Sequence, residues 1–404
     1  MNKSLNTKPR PVPGDWDRRG LPGWTYHSRA LFDLEKREVF QTHWQIAGHV
    51  NDIPSPGDYL TMDVTDERAL VIRGKDGVVR GFHNLCRHRG ARVAAEEHGH
   101  CKGALVCPFH GWVYNLDGTL RGAARPESFG DLDRKEFGLR PLDLEVWRGF
   151  IFIRFRSGPQ PSVATLMAPF DADFAAWRSE ELLPAGDTWT GELPVNWKSI
   201  RDVDNEGYHV AMAHPALQDL YGRTYSDKTY TNGISASFAT FGDNPGRLWS
   251  VRNYVKFSPV QDWLPENRRR TWAYFGVFPS GVITFTPESA NFYHELPVAP
   301  GRTLMRSRTY RRAEESRQAR VARYLAARID RETSKEDQML SIWSNESMKS
   351  SAFEDFHLSD LEFGVKVHHD QLRRVLPVTR LPDAPPEDRI EATNENLRSL
   401  DAEI

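Results

Sequence analysis

Two short segments constrain the fold of this chain more than any other feature. The first is Cys86-Arg87-His88-Arg89-Gly90 and the second is Cys107-Pro108-Phe109-His110-Gly111-Trp112. Each segment supplies one thiolate and one imidazole, and both groups are good ligands for transition metals. A glycine follows each pair of ligands, which is typical of tight loops whose backbone comes close to a bound group. The sequence therefore predicts a small domain that presents two metal-binding loops.

Two kinds of metal site use two cysteines and two histidines. In a Rieske [2Fe–2S] cluster, one iron takes both sulfurs and the other iron takes both nitrogens. A structural zinc site usually pairs cysteine with cysteine and histidine with histidine along the chain. Because each segment here pairs a cysteine with a histidine, the spacing favours the Rieske cluster, with the ligands Cys86, His88, Cys107 and His110. A zinc-stabilised binding module remains the alternative.

Composition excludes several function classes. The chain has 404 residues, of which 27% are charged, and a formal net charge of −2, so no nucleic-acid partner is indicated. It has no apolar run of membrane-spanning length, and its polar first twenty residues are unlike a signal peptide. We therefore expect a cytoplasmic protein without a membrane partner. The three cysteines are too few for a disulfide framework, or for a ferredoxin cluster with four cysteines of its own.

The sequence predicts three parts. Residues 45–156 contain short β-rich runs separated by turn residues, which predicts a small all-β domain around the two loops, with a hairpin turn at 115–119. A stretch rich in Gly, Pro and Ser begins at 157 and marks the boundary to a larger domain, 157–404. The N-terminal segment, 1–44, is expected to pack on that larger domain.

The larger domain mixes strands and helices. Strands are predicted at 272–277 and 281–286, and a charged amphipathic helix at 314–330. Strands in the middle with helices around them favour an α+β fold with an antiparallel sheet over a doubly wound parallel sheet. There is no G-x-G-x-x-G segment between a strand and a helix and no Walker A sequence, so direct binding of nicotinamide, flavin or nucleotide is not supported.

A second segment of the larger domain contains a further group of metal-ligand residue types. Glu206 and His209 are three residues apart and would share one face of a helix. His214 would not fall on that face, but it precedes Pro215, and the residue before a proline is pushed out of helical geometry. A local break of the helix would let both imidazoles reach one metal. Ordinary surface or core placement of the two histidines is the alternative.

Taken together, these motifs resemble the Rieske non-heme iron oxygenases, the family of ring-hydroxylating oxygenase alpha subunits. The resemblance rests on C-x-H followed by C-P-F-H-G-W, and on an acid, then Tyr-His, then four residues and His. It implies a mononuclear Fe(II) held by two histidines and a carboxylate, here His209 and His214 with Asp355 from the element Phe353-Glu354-Asp355-Phe356. Glu354 and Asp360 are the competing acids. Glu206 takes the position of the acid that links the two metal centres.

The resemblance also implies a mechanism and partners. The family uses O2 as co-substrate, with electrons passing from NADH or NADPH through a separate flavin or iron–sulfur reductase to the [2Fe–2S] cluster. Electrons then pass from His110 through Glu206 to His209 across a subunit boundary, which implies a homotrimer. A Rieske-type electron carrier without catalytic iron is the rival interpretation.

The substrate class is the least constrained expectation. Glu206 and the run Ala213-His214-Pro215-Ala216-Leu217 favour members that hydroxylate or oxidatively N-demethylate a betaine-like quaternary amine; hydroxylation or dihydroxylation of an aromatic ring is the alternative. An aromatic pocket would hold such a cation by cation–π contact. The candidates for that pocket are Trp249, Tyr254, Trp263, Trp272, Tyr274, Phe285 and Tyr293.

Overall fold

The computed structural model describes residues 10–230, 232–244 and 246–403. The chain forms two compact units: residues 40–165, and residues up to 39 together with 166–404. The smaller unit therefore extends beyond the predicted 45–156 at both ends. Antiparallel sheets and helices together make an α+β fold, as predicted.

The smaller unit is built from short strands in three sheets. The sheets have the orders β1-β10-β9, β4-β3-β2-β5 and β6-β7-β8. Its strands are β1 (Gln45–His49), β2 (Asp58–Val64), β3 (Glu67–Arg73), β4 (Val79–His83), β5 (His98–His100), β6 (Leu105–Val106), β7 (Val113–Tyr114), β8 (Leu120–Gly122), β9 (Asp143–Trp147) and β10 (Phe150–Arg154).

The predicted hairpin turn joins β7 and β8. The Asn115 N–H donates to the Thr119 carbonyl at 2.9 Å, and the Gly118 N–H donates to the Asn115 carbonyl at 3.0 Å. Gly118 has a φ of +86°, a conformation that glycine adopts without steric cost. The turn prediction is confirmed, and the second metal-binding loop directly precedes this hairpin.

The larger unit surrounds one eight-stranded antiparallel sheet. The sheet order is β11-β18-β17-β16-β15-β14-β13, and β12 also pairs with β18. Its strands are β11 (Leu183–Pro184), β12 (Trp189–Leu193), β13 (Ser226–Thr229), β14 (Ile234–Thr240), β15 (Thr271–Val277), β16 (Gly281–Phe285), β17 (Ser289–Ala299) and β18 (Arg302–Arg311). The strands predicted at 272–277 and 281–286 are thus confirmed as β15 and β16.

The described part of the chain also contains ten α-helices. They are α1 (Arg29–Glu35), α2 (Val163–Leu166), α3 (Asp171–Ala176), α4 (Trp197–Asp204), α5 (Val210–Ala213), α6 (Pro215–Tyr221), α7 (Trp249–Phe257), α8 (Arg317–Ser347), α9 (Phe363–Val375) and α10 (Ile390–Glu403). Of these, α2 spans the sequence boundary between the two units. No helix in the described ranges combines the length and apolarity needed to cross a bilayer.

The two faces of the central sheet differ in chemistry. Side chains alternate between the faces of a strand, and one face carries buried phenylalanines, among them Phe275 and Phe285, which pack against Trp177. The other face carries a row of paired positions that are polar and partly accessible. We call this row the polar row; it consists of Ser237, Tyr274, Thr284, Asn291 and Thr309. One face of this sheet therefore packs against Trp177, whereas the other combines the polar row with a hydrophobic core that includes Trp272.

The long helix α8 lies next to α4 and α7. It begins at a Ser316 N-cap whose Oγ accepts from the Ala319 N–H at 3.1 Å. Further along, Asn345 Nδ2 donates to Ser199 Oγ of α4 at 3.0 Å, in the protein interior. The helix was predicted to end at 330 but continues to Ser347, so the predicted end is wrong.

The N-terminal segment contributes a buried acid to the larger unit. Glu35, at the end of α1, accepts from Trp197 Nε1 at 2.9 Å and forms an ion pair with Lys198, and the Glu35 and Lys198 side chains are almost completely buried. Trp197 and Lys198 are the first two residues of α4. Because a buried charge is costly unless it is paired, this contact ties the first turn of α4 to α1.

Candidate metal centres

The two loops predicted to bind the cluster have the same backbone geometry. In the first loop, the Gly90 N–H donates to the Cys86 carbonyl at 2.8 Å, and in the second the Gly111 N–H donates to the Cys107 carbonyl at 3.0 Å. Both glycines have positive φ, +75° and +68°. An L-residue would be strained there, so these glycines permit the turn that brings thiol and imidazole to the same side.

The four candidate cluster ligands differ in exposure. Both cysteines are buried at 2% relative exposure, whereas His110 is exposed. The His88 and His110 rings lie 4.6 Å apart between centroids, and His88 Nδ1 is buried without a hydrogen-bond partner among the described residues. A buried nitrogen without a partner is expected where a metal ion supplies the missing contact. The residues therefore fit a cluster with its sulfur side inward and its nitrogen side at the surface.

Tyr114 supports the sulfur side of this site. Its hydroxyl lies 3.2 Å from Cys86 Sγ and accepts from the Arg87 N–H at 2.9 Å, so it is oriented to donate to the sulfur. Burial raises the pKa of Tyr114, which keeps the hydroxyl protonated at neutral pH. Hydrogen bonds to cluster sulfurs are one of the means by which proteins set cluster reduction potentials.

The second candidate centre lies between α4 and α6. His209 directly precedes α5, and His214 separates α5 from α6 with the non-helical angles φ −118° and ψ 80°. The predicted break before Pro215 is therefore confirmed. It lets the two imidazoles face each other, with a distance of 2.9 Å between His209 Nε2 and His214 Nε2.

Glu206 contacts His209, although not by the predicted route. Helix α4 ends at Asp204, so Glu206 lies in a turn, and the expectation that it shares a helix face with His209 is wrong. Glu206 Oε2 instead accepts from the N–H groups of Tyr208 and His209. This fixes Oε1 at 2.5 Å from His209 Nδ1. With Nε2 facing the metal position, Nδ1 carries the proton and donates to Glu206.

The third group at this centre is Asp337 of α8. Asp337 Oδ1 lies 2.8 Å from His214 Nε2 and 3.5 Å from His209 Nε2, and no hydrogen bond of proper geometry reaches it within the described part of the chain. Three ligand atoms thus converge on one point. Two imidazoles and one carboxylate on one side of a metal form the facial arrangement of non-heme Fe(II) oxygenases, so these residues fit a mononuclear ferrous ion.

Carboxylates give this centre a strongly negative field. Burial alone would lower the pKa of His209, but its contacts with Asp337 and Glu206 raise it to about 10. Glu336 Oε2 lies 2.8 Å from His214 Nδ1 and orients the second imidazole in the same way. Burial would raise the pKa of Asp337, but both histidines hold it below its usual value. An arrangement that stabilises positive charge on both rings also attracts a divalent cation.

Asp355, predicted as the third ligand, does not join this centre. It is exposed, and its Oδ1 accepts from the neighbouring Phe356 N–H at 2.7 Å. The phenylalanines of this element, Phe353 and Phe356, pack against each other, and the acids between them remain exposed. The competing acid Asp360 pairs with Arg18. The structure thus places Asp337, and not Asp355, beside the two histidines.

Asp337 was missed because α8 was predicted to end too early. Once the helix is continued, a stripe with spacings of three and four residues runs through Ala322, Ala326, Ile329, Thr333, Asp337, Ser341 and Asn345. Helical positions at this spacing share one face. An acid on the inward face of an amphipathic helix, here Asp337, was the sequence signal that could have indicated the third metal-binding candidate.

Both candidate centres lie in segments that match known protein families. Residues 43–133 match the Rieske [2Fe-2S] domain, and residues 180–377 match the catalytic domain of the ring-hydroxylating alpha subunit. The chain belongs to the Rieske oxygenase family. A Rieske cluster and a mononuclear iron are the metal groups of this family, in agreement with the two ligand sets above.

Several characterised Rieske oxygenases are similar to this chain. The glycine betaine monooxygenase oxygenase subunit of Pseudomonas aeruginosa is 38% identical over 197 residues, which are 49% of this chain and 45% of the relative. The carnitine monooxygenase oxygenase subunit of Escherichia coli K12 is 32% identical, covering 49% and 53% of the two chains. The 2-aminobenzenesulfonate 2,3-dioxygenase alpha subunit of an Alcaligenes species is 29% identical, covering 75% and 77%. The matched region thus spans about half the length of the first two relatives.

Solved structures extend the similarity over most of the fold. The quaternary ammonium Rieske monooxygenase CntA is 25% identical, with a TM-score of 0.74 and coverage of 88% of this chain and 95% of CntA. Naphthalene 1,2-dioxygenase of a Rhodococcus species has a TM-score of 0.71 at 17% identity, covering 88% and 94%, and shares the fold alone.

Proposed function

We propose that this chain is the terminal oxygenase component of a Rieske oxygenase system that hydroxylates or oxidatively N-demethylates a betaine-like quaternary amine. The observation that carries the oxygenase assignment is the convergence of His209, His214 and Asp337 in a chain that also has a Rieske domain. Bound ferrous iron would supply O2 activation, and the cluster would supply electrons one at a time. An electron carrier would not need the second ligand set.

Glu206 has the role of a positioning acid in this proposal. Its carboxylate holds the Nδ1 proton of His209 and so fixes the ring with Nε2 toward the metal position. A second imidazole that approaches the same carboxylate would be coupled to His209 through one hydrogen-bonded bridge. We assign that second imidazole to His110 of a neighbouring subunit in a homotrimer, because His110 is the exposed ligand of the cluster.

The proposal requires an external source of electrons. The sequence contains no nucleotide-binding fingerprint, so NADH or NADPH would be oxidised by a separate flavin or iron–sulfur reductase. Because His110 is assigned to the contact with the neighbouring subunit, the expected entry point for those electrons is the rest of the exposed cluster-loop surface, such as Phe109.

The similar proteins support the quaternary-amine assignment. Glycine betaine and carnitine monooxygenase subunits are 38% and 32% identical to this chain in the matched half. The second candidate is aromatic ring dihydroxylation. It is favoured by one observation, the longer match to the 2-aminobenzenesulfonate dioxygenase alpha subunit, which spans 75% of this chain.

A substrate panel tests the proposal. The purified protein, combined with a surrogate NADH-dependent reductase, would be given glycine betaine, carnitine, choline and 2-aminobenzenesulfonate. We expect substrate-dependent O2 uptake and formaldehyde release with a quaternary amine and no diol from the aromatic compound. Formation of a diol without formaldehyde would favour the second candidate. Absence of O2 uptake with every compound, in a sample that contains both metal groups, would contradict an oxygenase of either kind.

A further inference from the structure

A pocket beside the start of α8 is lined by arginines. It has a volume of about 340 Å³ and lies where the end of β18 meets β11 and the first turns of α8. This volume is at the lower end of the range for sites that bind small molecules. The charged side chains of its lining are Arg311, Glu315, Arg320 and Arg323. Three guanidiniums and one carboxylate give the lining a net charge of +2.

The single acid of this pocket is already paired. Arg323 Nε and Nη2 donate to the two oxygens of Glu315 at 2.7 and 3.0 Å, and the Glu315 side chain is only 4% exposed. Arg323 holds the pKa of Glu315 below its usual value, so this carboxylate is charged at neutral pH. A bidentate pair of this kind fixes both side chains. Glu315 therefore orients Arg323, and two positive charges remain in excess.

The other two arginines have donors available to a ligand. Arg311 Nη1 donates to the carbonyls of Arg312 and Ala313 at 2.9 and 3.3 Å, which holds this guanidinium in place. Within the described part of the chain, the Nε and Nη2 groups of Arg311 make no hydrogen bond. Arg320 lies 3.5 Å from a Glu315 oxygen and its side chain is 71% exposed, so it can turn toward a ligand. The pocket thus offers charge-assisted donors from both β18 and α8.

The charge of the lining selects among possible occupants. A cation would be repelled, and a monoanion would balance only half of the excess charge. The planar fork of a guanidinium matches the oxygens of a carboxylate or a phosphate. A molecule that carries two or more such groups would balance the charge and use more than one arginine. The concave shape and the volume of the pocket favour a small molecule over an extended acidic surface.

We propose that this pocket binds a small polyanion, a molecule with at least two phosphate or carboxylate groups, through Arg311, Arg320 and Arg323. Asp337, the candidate iron ligand of α8, lies 14 residues beyond Arg323, which corresponds to ~21 Å along the helix axis. The pocket is therefore separate from the candidate iron centre, and this proposal does not depend on the proposed reaction.

Calorimetry on the metal-loaded protein tests the pocket. Fructose 1,6-bisphosphate and propane-1,2,3-tricarboxylate represent the two sources of negative charge, and fructose and acetate are the neutral and monoanionic controls. We expect at least one polyanion to bind with a Kd below about 1 mM, and neither control to bind. Binding of only one polyanion would support the pocket and identify its preferred group. Added salt should weaken the binding.

Variants of the lining locate the bound polyanion. Arg311→Gln and Arg320→Gln should each weaken its binding about tenfold, because each removes a charge-assisted donor. Arg328 is on the same helix outside the lining and pairs with Glu332 at 3.2 Å. Arg328→Gln should therefore leave the affinity unchanged.

Ala313 provides a second test that removes no donor. It is exposed and lines the pocket, so Ala313→Asp adds a negative charge there without breaking an ion pair. This variant should lose binding of the polyanion, whereas Ala313→Ser should retain it. The Ala313 variants decide if Arg311→Gln or Arg320→Gln loses the cluster absorbance or the iron.

Three results would overturn the proposal. The first is that neither polyanion binds to the wild-type protein. The second is that Arg328→Gln weakens binding as much as the lining variants do, or that Ala313→Asp leaves binding unchanged. The third is that a hexaglutamate peptide binds although neither small polyanion does, which would identify this surface as a contact for an acidic protein segment.

Discussion

At the scale of single residues, surroundings rather than residue type decide which aspartate can reach the candidate metal position. Asp337 is partly buried against two imidazoles, whereas Asp355 is exposed and accepts from the next backbone N–H. Both carboxylates are chemically equivalent in the unfolded chain. Of the two, only Asp337 is held with a carboxylate oxygen beside both imidazoles.

This difference predicts the metal content of two matched variants. Asp337→Ala should keep the two irons of the cluster, with its visible absorbance, and lose the mononuclear iron, so that iron falls from about three to about two per chain. Asp355→Ala should retain all three. Iron analysis of the two purified proteins is the measurement. Loss of the third iron in Asp355→Ala but not in Asp337→Ala would restore the original ligand prediction.

The raised pKa of Glu288 predicts that this residue contributes to stability in a pH-dependent way. It is buried between Tyr254, which donates to Oε2 at 3.2 Å, and Thr286, which donates to Oε1 at 2.8 Å. The charge of Asp330 on α8 also reaches it. Burial raises the pKa of Glu288 from 4.5 to about 7. The folded state therefore binds this proton more tightly than the unfolded state, and its stabilising effect is lost as pH rises through 7.

Glu288→Gln removes this titration while keeping the shape of the side chain. Relative to the wild-type protein, the variant should gain about 2 kcal/mol in free energy of unfolding between pH 5 and pH 8.5. Urea unfolding at both pH values measures the gain, and Glu332→Gln is the exposed control. The same difference between variant and wild type at both pH values would show that Glu288 does not titrate in this range.

At the scale of elements, the sequence predicted correctly those features that depend on residues close together in the chain. The cluster loops, the turn at 115–119 and the helix break at His214 each depend on Gly or Pro within a few residues, and all three are present in the structure. The end of α8 was missed because a helix of 31 residues carries charges on most of its surface. Its second half is stabilised by contacts that the sequence does not display, such as Asn345 with Ser199.

The contact between Glu206 and His209 also shows that sequence spacing does not predict geometry. Their contact was predicted from helical spacing, but it is made by a turn in which the carboxylate accepts two backbone N–H groups. The pairing of residues was therefore right and its geometry wrong. Which distant acid completes the metal centre depends on how α8 packs against α4, and sequence spacing carries no information about that contact.

At the scale of the whole molecule, the proposed trimer predicts complementation between inactive variants. A Cys86→Ser, Cys107→Ser protein should lack the cluster, and a His209→Ala protein should lack the mononuclear iron. Each should be inactive alone. Co-expression should restore substrate-dependent O2 uptake, because one subunit of a mixed trimer can supply the cluster and its neighbour the iron.

Glu206 provides the control for the route between subunits. Adding Glu206→Gln to the cluster-free chain should abolish the restored activity, because that chain supplies the iron and therefore the bridging acid. Glu332→Gln in the same chain should have no effect. Failure of the mixed protein to recover activity, with intact metal content, would contradict electron transfer between subunits.

The uneven burial of the cluster ligands has a final consequence. Cys86 and Cys107 are enclosed by protein, whereas His110 reaches the surface. Electron tunnelling decays steeply with distance. Among the four candidate ligands, the enclosed cysteines are therefore poor contacts for electron transfer, and the histidine side offers the short path to a partner. In the proposed trimer, electrons would enter and leave through this same side of the cluster, so the reductase would have to approach beside the subunit contact.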